Sequence, residues 1–389
     1  MKISPVCEIR HTRLACFGAA LSLCLLLLAP AIARCQPTAT EDQVAALNLI
    51  TAESLQAHLS YIASDELGGR GTPSPGLEAA AIYIAEQFRK AGLEPVGNDG
   101  YFQTSRWVMA PVVREGRTST RLRLQPWEEG TERPEGAQGE PFLLKNVVGL
   151  LRGSDPELRD SYILVTAHYD HLGIRSGVAP DSIYNGANDD GSGTVTVFEL
   201  ARALASAETP PGRSILFMAV FGEESGLLGS RHYAQHPIFP LRQTIAMANI
   251  EMIGRTDTDG VDNTGNLNIT GFNLSTFSVP FVEAGKHFDI AVFRHAQNSL
   301  PYFRRSDNIA LATLGVPAHT FSVGYSHDDY HRPDDHWEKI NFPNMAVTAR
   351  TIGLGVLYLA NSDEVPVWNE GAEGVEPYLE AWKTLHGGG

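Results

Sequence analysis

Short apolar runs alternate with stretches of helical spacing along most of the chain. The runs at 144–151, 162–168, 214–221, 244–250 and 317–323 predict strands. The spacing of apolar residues elsewhere predicts helices at 193–205, 228–236, 277–288, 309–314 and 343–359. Apolar strands that alternate with helices are typical of an α/β fold. We therefore expect a doubly wound, mostly parallel central sheet with helices on both faces.

The first third of the chain has a different pattern. Residues 54–67 and 77–92 have helical spacing, and the glycines and proline of 68–73 predict a loop between two helices. Residues 109–143 are rich in Arg, Glu, Gly and Pro, and this segment is short for an independent domain. We expect it to be an edge hairpin or a loop excursion from a single domain at 44–389.

The N-terminus has the pattern of a secretory signal peptide. A basic segment precedes an apolar run at 14–30, and Ala31-Ile32-Ala33 follows it as a small-x-small cleavage site. The basic residues are Lys2, Arg10 and Arg13. We expect residues 1–33 to be removed and 34–43 to form a polar leader of an exported protein, periplasmic or extracellular. A membrane anchor is the alternative, but the apolar run is near the short end for a bilayer span.

All four cysteines lie in or beside this N-terminal segment, at Cys7, Cys16, Cys24 and Cys35. After cleavage only Cys35 would remain, so we expect no disulfide within the mature chain. Arg34 beside Cys35 argues against lipid attachment. Any metal site in the mature protein must then use nitrogen and oxygen ligands.

The amino-acid composition limits the classes of function that the chain could have. The chain has 389 residues, of which 43% are hydrophobic, and this is enough for one large core. Its formal net charge is -15, and no basic block of the kind that binds nucleic acid is present. We expect no nucleic-acid partner and no stable membrane insertion after signal cleavage.

Imidazole and carboxylate side chains cluster where the predicted strands end. The segments are His168-Tyr169-Asp170-His171, Asn188-Asp189-Asp190-Gly191-Ser192-Gly193, Glu223-Glu224, Asn249-Ile250-Glu251-Met252 and Tyr330-His331-Arg332-Pro333-Asp334. Each segment alone has an ordinary structural explanation, such as a helix N-cap or a solvated strand end. Ligands of parallel sheets bind at the carboxyl ends of the strands, however, and so many carboxylates meeting there would need cations. Zinc accepts these ligand types when thiolate is absent.

The ordered motifs His-x-Asp, Asp-x-x-Ser-Gly, Glu-Glu, Asn-x-acid-Met and Tyr-His-x-Pro-x-Asp resemble the M28 family of co-catalytic zinc aminopeptidases. The resemblance covers roughly residues 44–361. It implies the zinc exopeptidase fold, two Zn²⁺ per chain, and hydrolysis of N-terminal residues from peptides with a free N-terminus.

The resemblance also implies roles for individual residues. The implied metal ligands are His168 and Glu251 for one zinc, Glu224 and His331 for the other, and Asp189 for both. Glu223 would be the general base that takes a proton from a water shared by the metals. Asp170 would accept a hydrogen bond from His168 and fix its tautomer. A cis peptide bond is implied between Asp189 and Asp190.

Two positions depart from the usual pattern of the family. Glu251 stands where Asp is usual, and its side chain is one methylene longer. Asn308 stands where His is common. Tyr325 and Tyr330 lie near His331 in the sequence and could line a substrate pocket or simply pack.

Three other functions remain open on the sequence. A glutaminyl cyclase-like acyltransferase shares the fold and uses a single zinc. A carboxypeptidase-type exopeptidase of the same fold would need a cation for the substrate carboxylate, and Arg255 or Arg332 could supply it. A non-catalytic binding homologue would have kept the site without its activity.

Overall fold

The computed structural model describes residues 38–114, 117–177, 180–258 and 260–387. The predicted signal peptide lies outside them. The strands are β1 (Phe102–Arg114), β2 (Arg117–Pro126), β3 (Gln138–Leu151), β4 (Tyr162–His168), β5 (Gly173–Ile174), β6 (Ile183–Tyr184), β7 (Ser214–Val220), β8 (Thr244–Ile250), β9 (Asp257–Thr258), β10 (Val261–Asp262), β11 (Asn266–Ile269), β12 (Ala291–Phe293) and β13 (Ala318–Ser322).

Several of the described helices have side-chain N-terminal caps. The helices are α1 (Glu41–Leu47), α2 (Ala52–Ile62), α3 (Pro75–Lys90), α4 (Gly193–Ala205), α5 (Leu228–Gln235), α6 (Ser278–Phe288), α7 (Ser299–Tyr302), α8 (Asn308–Ala312), α9 (Phe342–Ala360) and α10 (Glu376–Gly387). Thr40 and Gln43 form a capping box at α1, which therefore begins inside the predicted leader. Ser74 caps α3, and Pro75 occupies its first turn.

The described strands of the main sheet lie in the order β12-β11-β13-β8-β4-β7-β3-β1-β2. The four central strands β13, β8, β4 and β7 are parallel to one another. Both flanks add antiparallel pairs, β3 beside β7 and β11 beside β13. The predicted α/β fold is confirmed, but the sheet as a whole is mixed because antiparallel pairs flank the parallel strands on both sides.

Two hydrophobic cores cover the two faces of the sheet. Successive residues of a strand point to opposite faces, so Ile163 and Val165 of β4 enter one core while Leu164 enters the other. Side chains of α2, α3, α4, α6 and α9 belong to the first core. Those of α5, α8 and α10 belong to the second. β4, β7 and nearly all of β8 are buried along their whole length, as expected for strands covered on both faces.

The segment 109–143 contains the end of β1, all of β2 and the start of β3. β1 pairs antiparallel with both β2 and β3 at the edge of the sheet. The predicted helix at 54–67 ends at Ile62, and a tight turn with positive φ at Gly68 and Gly69 follows it.

Among the helices that the structure describes, none combines the length and the apolar composition that a membrane span requires.

The order of the central strands produces a crevice at their carboxyl ends. The chain passes from β4 to β7 on one side and then to β8 on the other side of β4. Such a change of direction opens a crevice where ligands of doubly wound folds bind. The predicted site residues lie at this edge.

Candidate metal centre

The central strands bring all the predicted ligands to one place. His168 is the last residue of β4, and Glu251 directly follows β8. Glu224 lies shortly after β7, and Asp189 lies in the turn Ala187–Ser192 that precedes α4. His331 comes from the loop after β13 and has a positive φ of 56°.

A first group of donors consists of His168, Asp189 and Glu251. One ligand atom of each lies within 4.8 Å of the others. His168 Nε2 is 3.3 Å from Asp189 Oδ1. The extra methylene of Glu251 therefore does not remove this residue from the group. All three side chains come from segments that the sequence predicted to meet.

A second group is built around the other oxygen of Asp189. Ligand atoms of His171, Asp189 and Glu224 lie within 4.8 Å of one another. His331 Nε2 is 3.1 Å from both Asp189 Oδ2 and Glu224 Oε1. Asp189 thus faces one group with Oδ1 and the other with Oδ2, which is the arrangement of a bridging ligand.

Buried polar atoms in both groups lack hydrogen-bond partners among the described residues. They are His168 Nε2, both ring nitrogens of His171, Asp189 Oδ2 and Glu224 Oε1. Buried polar groups are normally hydrogen-bonded. Here imidazoles and carboxylates approach within 2.9–3.9 Å without hydrogen-bond geometry. Side-by-side donors of nitrogen and oxygen fit metal ions, and zinc in particular.

The backbone around Asp189 is held from several sides. The peptide bond between Asp189 and Asp190 is cis, as the family resemblance implies. Asp335 accepts hydrogen bonds from the main-chain N–H groups of Asn188 and Asp189, at 3.0–3.1 Å. Asp190 Oδ1 accepts from the N–H groups of Gly193 and Met252, at 3.0 and 3.2 Å. Asp189 is therefore positioned by carboxylates that are not themselves in either group.

Arg70 ties the loops that carry the ligands to one another. Its guanidinium is fully buried and donates to the main-chain carbonyls of Ile62, Tyr169, Asn185 and Gly186, at 2.6–2.8 Å. Tyr169 lies beside His168, and Gly186 precedes the turn of Asp189. Burial lowers the pKa of Arg70 to about 10, so the side chain remains a cation at neutral pH.

Asp170 contacts Glu223 and Thr72 in addition to His168, the predicted partner. Its carboxylate accepts from the Glu223 N–H at 3.0 Å and from the Thr72 hydroxyl at 3.1 Å. His168 Nδ1 lies 3.2 Å from the Asp170 main-chain oxygen and 3.6 Å from its carboxylate. The predicted orientation of His168 thus comes mainly from the Asp170 carbonyl, while the carboxylate fixes Glu223.

The site concentrates negative charge in a buried place. Burial, with repulsion from Glu251, raises the pKa of Glu223 well above its usual range. Burial also raises the pKa of Glu251 to about 7. Burial acts to lower the pKa of His331, but Asp189 and Glu224 outweigh it and raise the pKa to about 10. Bound cations would stabilise all of these carboxylates in their charged form.

A small cavity of about 70 Å³ opens onto the first group of donors. Its lining includes the carboxylates of Asp189, Glu223 and Glu251. It also includes the aromatic rings of Tyr302, Tyr325 and Tyr330. The two tyrosines noted in the sequence are thus pocket residues. The cavity could hold an organic group next to the metal position.

Other residues considered from the sequence have structural contacts. Arg255 is paired with Asp257 and Asp329, at 2.5 and 2.9 Å. Asn308 is buried and bonds to the carbonyls of Phe303 and Ala318. The sequence interpretation assigned no role to His171, Arg70 or Asp335, although Asp335 is the last residue of the motif Tyr-His-x-Pro-x-Asp. His171 stood in a quoted motif and could have been noticed there, whereas Arg70 had no local signal.

A model of peptidase family M28 matches residues 146–355, a range that contains both groups of donors. Among curated relatives, a probable zinc metalloprotease of Pyrenophora teres f. teres (strain 0-1) is 30% identical over 230 residues, covering 57% of this chain and 41% of that protein. A probable leucine aminopeptidase of Arthroderma otae is 27% identical over 233 residues, covering 58% of this chain and 61% of that protein. The match thus spans less than two thirds of either relative.

Solved structures share the fold. A zinc aminopeptidase from Bacillus subtilis superposes with a TM-score of 0.59 at 17% identity, covering 79% of this chain and 94% of that one. The glutaminyl cyclase of Porphyromonas gingivalis superposes with a TM-score of 0.53 at 16% identity, covering 79% and 97%. At such identities these likenesses establish the fold, and the activity has to be argued from the site.

Proposed function

Because the chain belongs to peptidase family M28, we propose that it is an exported two-zinc aminopeptidase that removes N-terminal residues from peptides. One observation carries the proposal. Two groups of buried donors share the two oxygens of Asp189, and the first group opens into the cavity that also contains Glu223.

The donors divide between two metal positions. His168 and Glu251 would hold one zinc, Glu224 and His331 the other, and Asp189 would bridge them. When bound, the two ions would lower the pKa of a shared water and polarise the scissile carbonyl. The overlap of the two groups at Asp189 supports a pair of metals rather than one.

Glu223 is suited to move the proton. Its carboxyl is buried beside the donors, lines the cavity, and is not part of either group. The Asp170 carboxylate accepts a hydrogen bond from the Glu223 main-chain N–H, and this bond fixes the backbone from which the Glu223 side chain extends. Glu223 would take a proton from the attacking water and deliver it to the leaving amine, a role that is worth about 10²- to 10⁴-fold in rate.

The cavity would receive the N-terminal residue of the substrate. Three tyrosines line it, and their rings offer apolar surface with a polar tip. Peptides with a free N-terminus are therefore the proposed substrates. The names of the relatives, a zinc metalloprotease and a leucine aminopeptidase, support this substrate class. Export is proposed from the signal-peptide pattern of residues 1–33 alone.

The alternatives make different demands on the site. A carboxypeptidase needs a cation at the substrate carboxylate. Arg255 is already paired with two aspartates, whereas Arg332 is exposed and Arg305 lines the cavity. Release of C-terminal residues from peptides with a blocked N-terminus would therefore favour this alternative. A glutaminyl cyclase-like enzyme would need a single zinc. A glutaminyl cyclase is among the structural neighbours, so the fold alone does not distinguish this alternative from the proposal. Zinc stoichiometry separates the second alternative from the proposal.

The test combines metal analysis with a substrate panel. We expect two zinc ions per chain and release of p-nitroaniline from one or more aminoacyl-p-nitroanilides. A chelator should abolish the release, and added zinc should restore it. One zinc per chain together with cyclisation of an N-terminal glutaminyl peptide would replace this proposal with the acyltransferase. Two zinc ions with no release from any member of the panel would contradict aminopeptidase activity.

A further inference from the structure

His171 is an imidazole at the metal centre that the five implied ligands do not include. Its side chain is fully buried, and Nδ1 lies 2.9 Å from Glu224 Oε1 and 3.9 Å from Asp189 Oδ2. His331 Nε2 is 3.1 Å from the same two oxygens. The two imidazoles therefore approach one pair of carboxylate oxygens.

These spacings are those of ligands around one ion. A tetrahedral zinc with bonds of about 2.1 Å keeps its donor atoms about 3.4 Å apart. The four contacts between the imidazoles and the carboxylates measure 2.9, 3.1, 3.1 and 3.9 Å. The contact of His171 with Glu224 lacks hydrogen-bond geometry, because both atoms remain without a hydrogen-bond partner among the described residues.

The fold holds the His171 ring in this place. The His171 main-chain N–H donates to the carbonyl of Arg70 at 3.2 Å. A Cβ on Gly186 would lie only 2.4 Å from His171 Cγ, so the ring packs directly against a glycine backbone. An ordinary core histidine in so tight a place would be expected to hydrogen-bond, yet neither ring nitrogen of His171 does so within the described residues.

We propose that His171 is a fourth protein donor to the second metal position, beside Asp189, Glu224 and His331, and that the two positions are therefore unequal. This inference rests on the proposed two-zinc function. The first position has three protein donors, His168, Asp189 and Glu251, and keeps an open place towards the cavity. With the shared water added, the second position would have five ligands and the first would have four, and zinc accepts both numbers.

The two imidazoles of the second position differ in exposure. The side chain of His331 is 37% exposed and comes from a loop, whereas that of His171 is fully buried. Removal of His331 should therefore leave three protein donors in place, and the second zinc should stay bound with reduced affinity. Removal of both imidazoles should empty this position while the first position keeps all of its donors.

The experiment measures zinc affinity rather than turnover. The full chain is titrated against a competing chelator as wild type, His171→Asn, His331→Asn and the double variant. The control is His236→Asn, an exposed histidine directly after α5. Partners that merely orient a metal ligand change affinity by about 10- to 100-fold. We expect His171→Asn to weaken one of the two zinc ions by more than that, and His236→Asn to match wild type.

X-ray absorption of the zinc-loaded wild type counts imidazoles without any substitution, and it decides the matter if His171→Asn does not fold. Three imidazoles per pair of zinc ions support the proposal, and two overturn it. Wild-type affinity for both ions in His171→Asn also overturns it, while the two-zinc function stands. A wild-type chain that binds fewer than two zinc ions overturns both the inference and the proposed function.

Discussion

Substitution of Arg70 by Met should destabilise the protein severely. Met is unbranched and apolar, is shorter than Arg and has no donors, so the carbonyls of Ile62, Tyr169, Asn185 and Gly186 would lose their bonds to a buried cation. Each buried polar group left without a partner costs about 1–3 kcal/mol. Because these contributions overlap, we expect a total loss near 4 kcal/mol, out of a typical stability of about 5–15 kcal/mol.

Arg350 offers a matched control. It is half-buried and donates to a single carbonyl, that of Ile50, far from the metal centre in sequence and role. Arg350→Met should cost about 1 kcal/mol. Urea unfolding of the zinc-saturated proteins, followed by circular dichroism, measures both changes at equal zinc concentration. If Arg70→Met unfolded within about 1 kcal/mol of wild type, its four bonds would not hold the ligand loops as argued.

Two further substitutions test a carboxylate that stabilises the fold, Glu199, and one that positions a metal ligand, Asp335. Burial acts to raise the pKa of Glu199, but bonds from His58 and Arg202 outweigh it and lower the pKa to about 2. A carboxyl whose pKa is lowered on folding stabilises the fold at pH values above its ordinary pKa of about 4.5, and this stabilisation is lost as the pH falls towards 2. Between about pH 6 and pH 2, the free energy of unfolding of Glu199→Gln should therefore fall by about 3 kcal/mol less than that of wild type. Equal losses in urea unfolding would contradict the assignment. Asp335→Asn should weaken zinc binding about 10- to 100-fold, because Asp335 holds the backbone of Asp189, and unchanged affinity in a chelator titration would refute that role.

The ends of the central strands could be predicted because each strand is apolar along its whole length and a chemically distinct residue follows. His168 and Glu251 stand at such boundaries, so the parallel order of the strands was enough to bring them together. The edge strands lacked this contrast. β1 and β2 carry Arg, Thr and Gln among their apolar residues, and short strands such as β11 and β12 have too few residues to show a period.

The residues that the sequence did not reveal act through contacts that no local pattern encodes. Arg70 serves four carbonyls, three of them from segments about 100 residues later in the chain, and its own surroundings suggested only a loop. His171 stands three residues after His168, but its neighbours in space are Glu224 and Gly186. Its chemistry became apparent only when the strands were placed side by side.

The central claim is that Glu223 performs the proton transfer at a pair of zinc ions that it does not bind. Zinc content and kcat measured together on Glu223→Gln test it most directly, with Glu338→Gln as an exposed control. The account predicts two zinc ions per chain in both variants, wild-type kcat in the control, and a kcat lower by about 10²- to 10⁴-fold in Glu223→Gln. Full activity of Glu223→Gln, or loss of a zinc ion from it, would contradict the account.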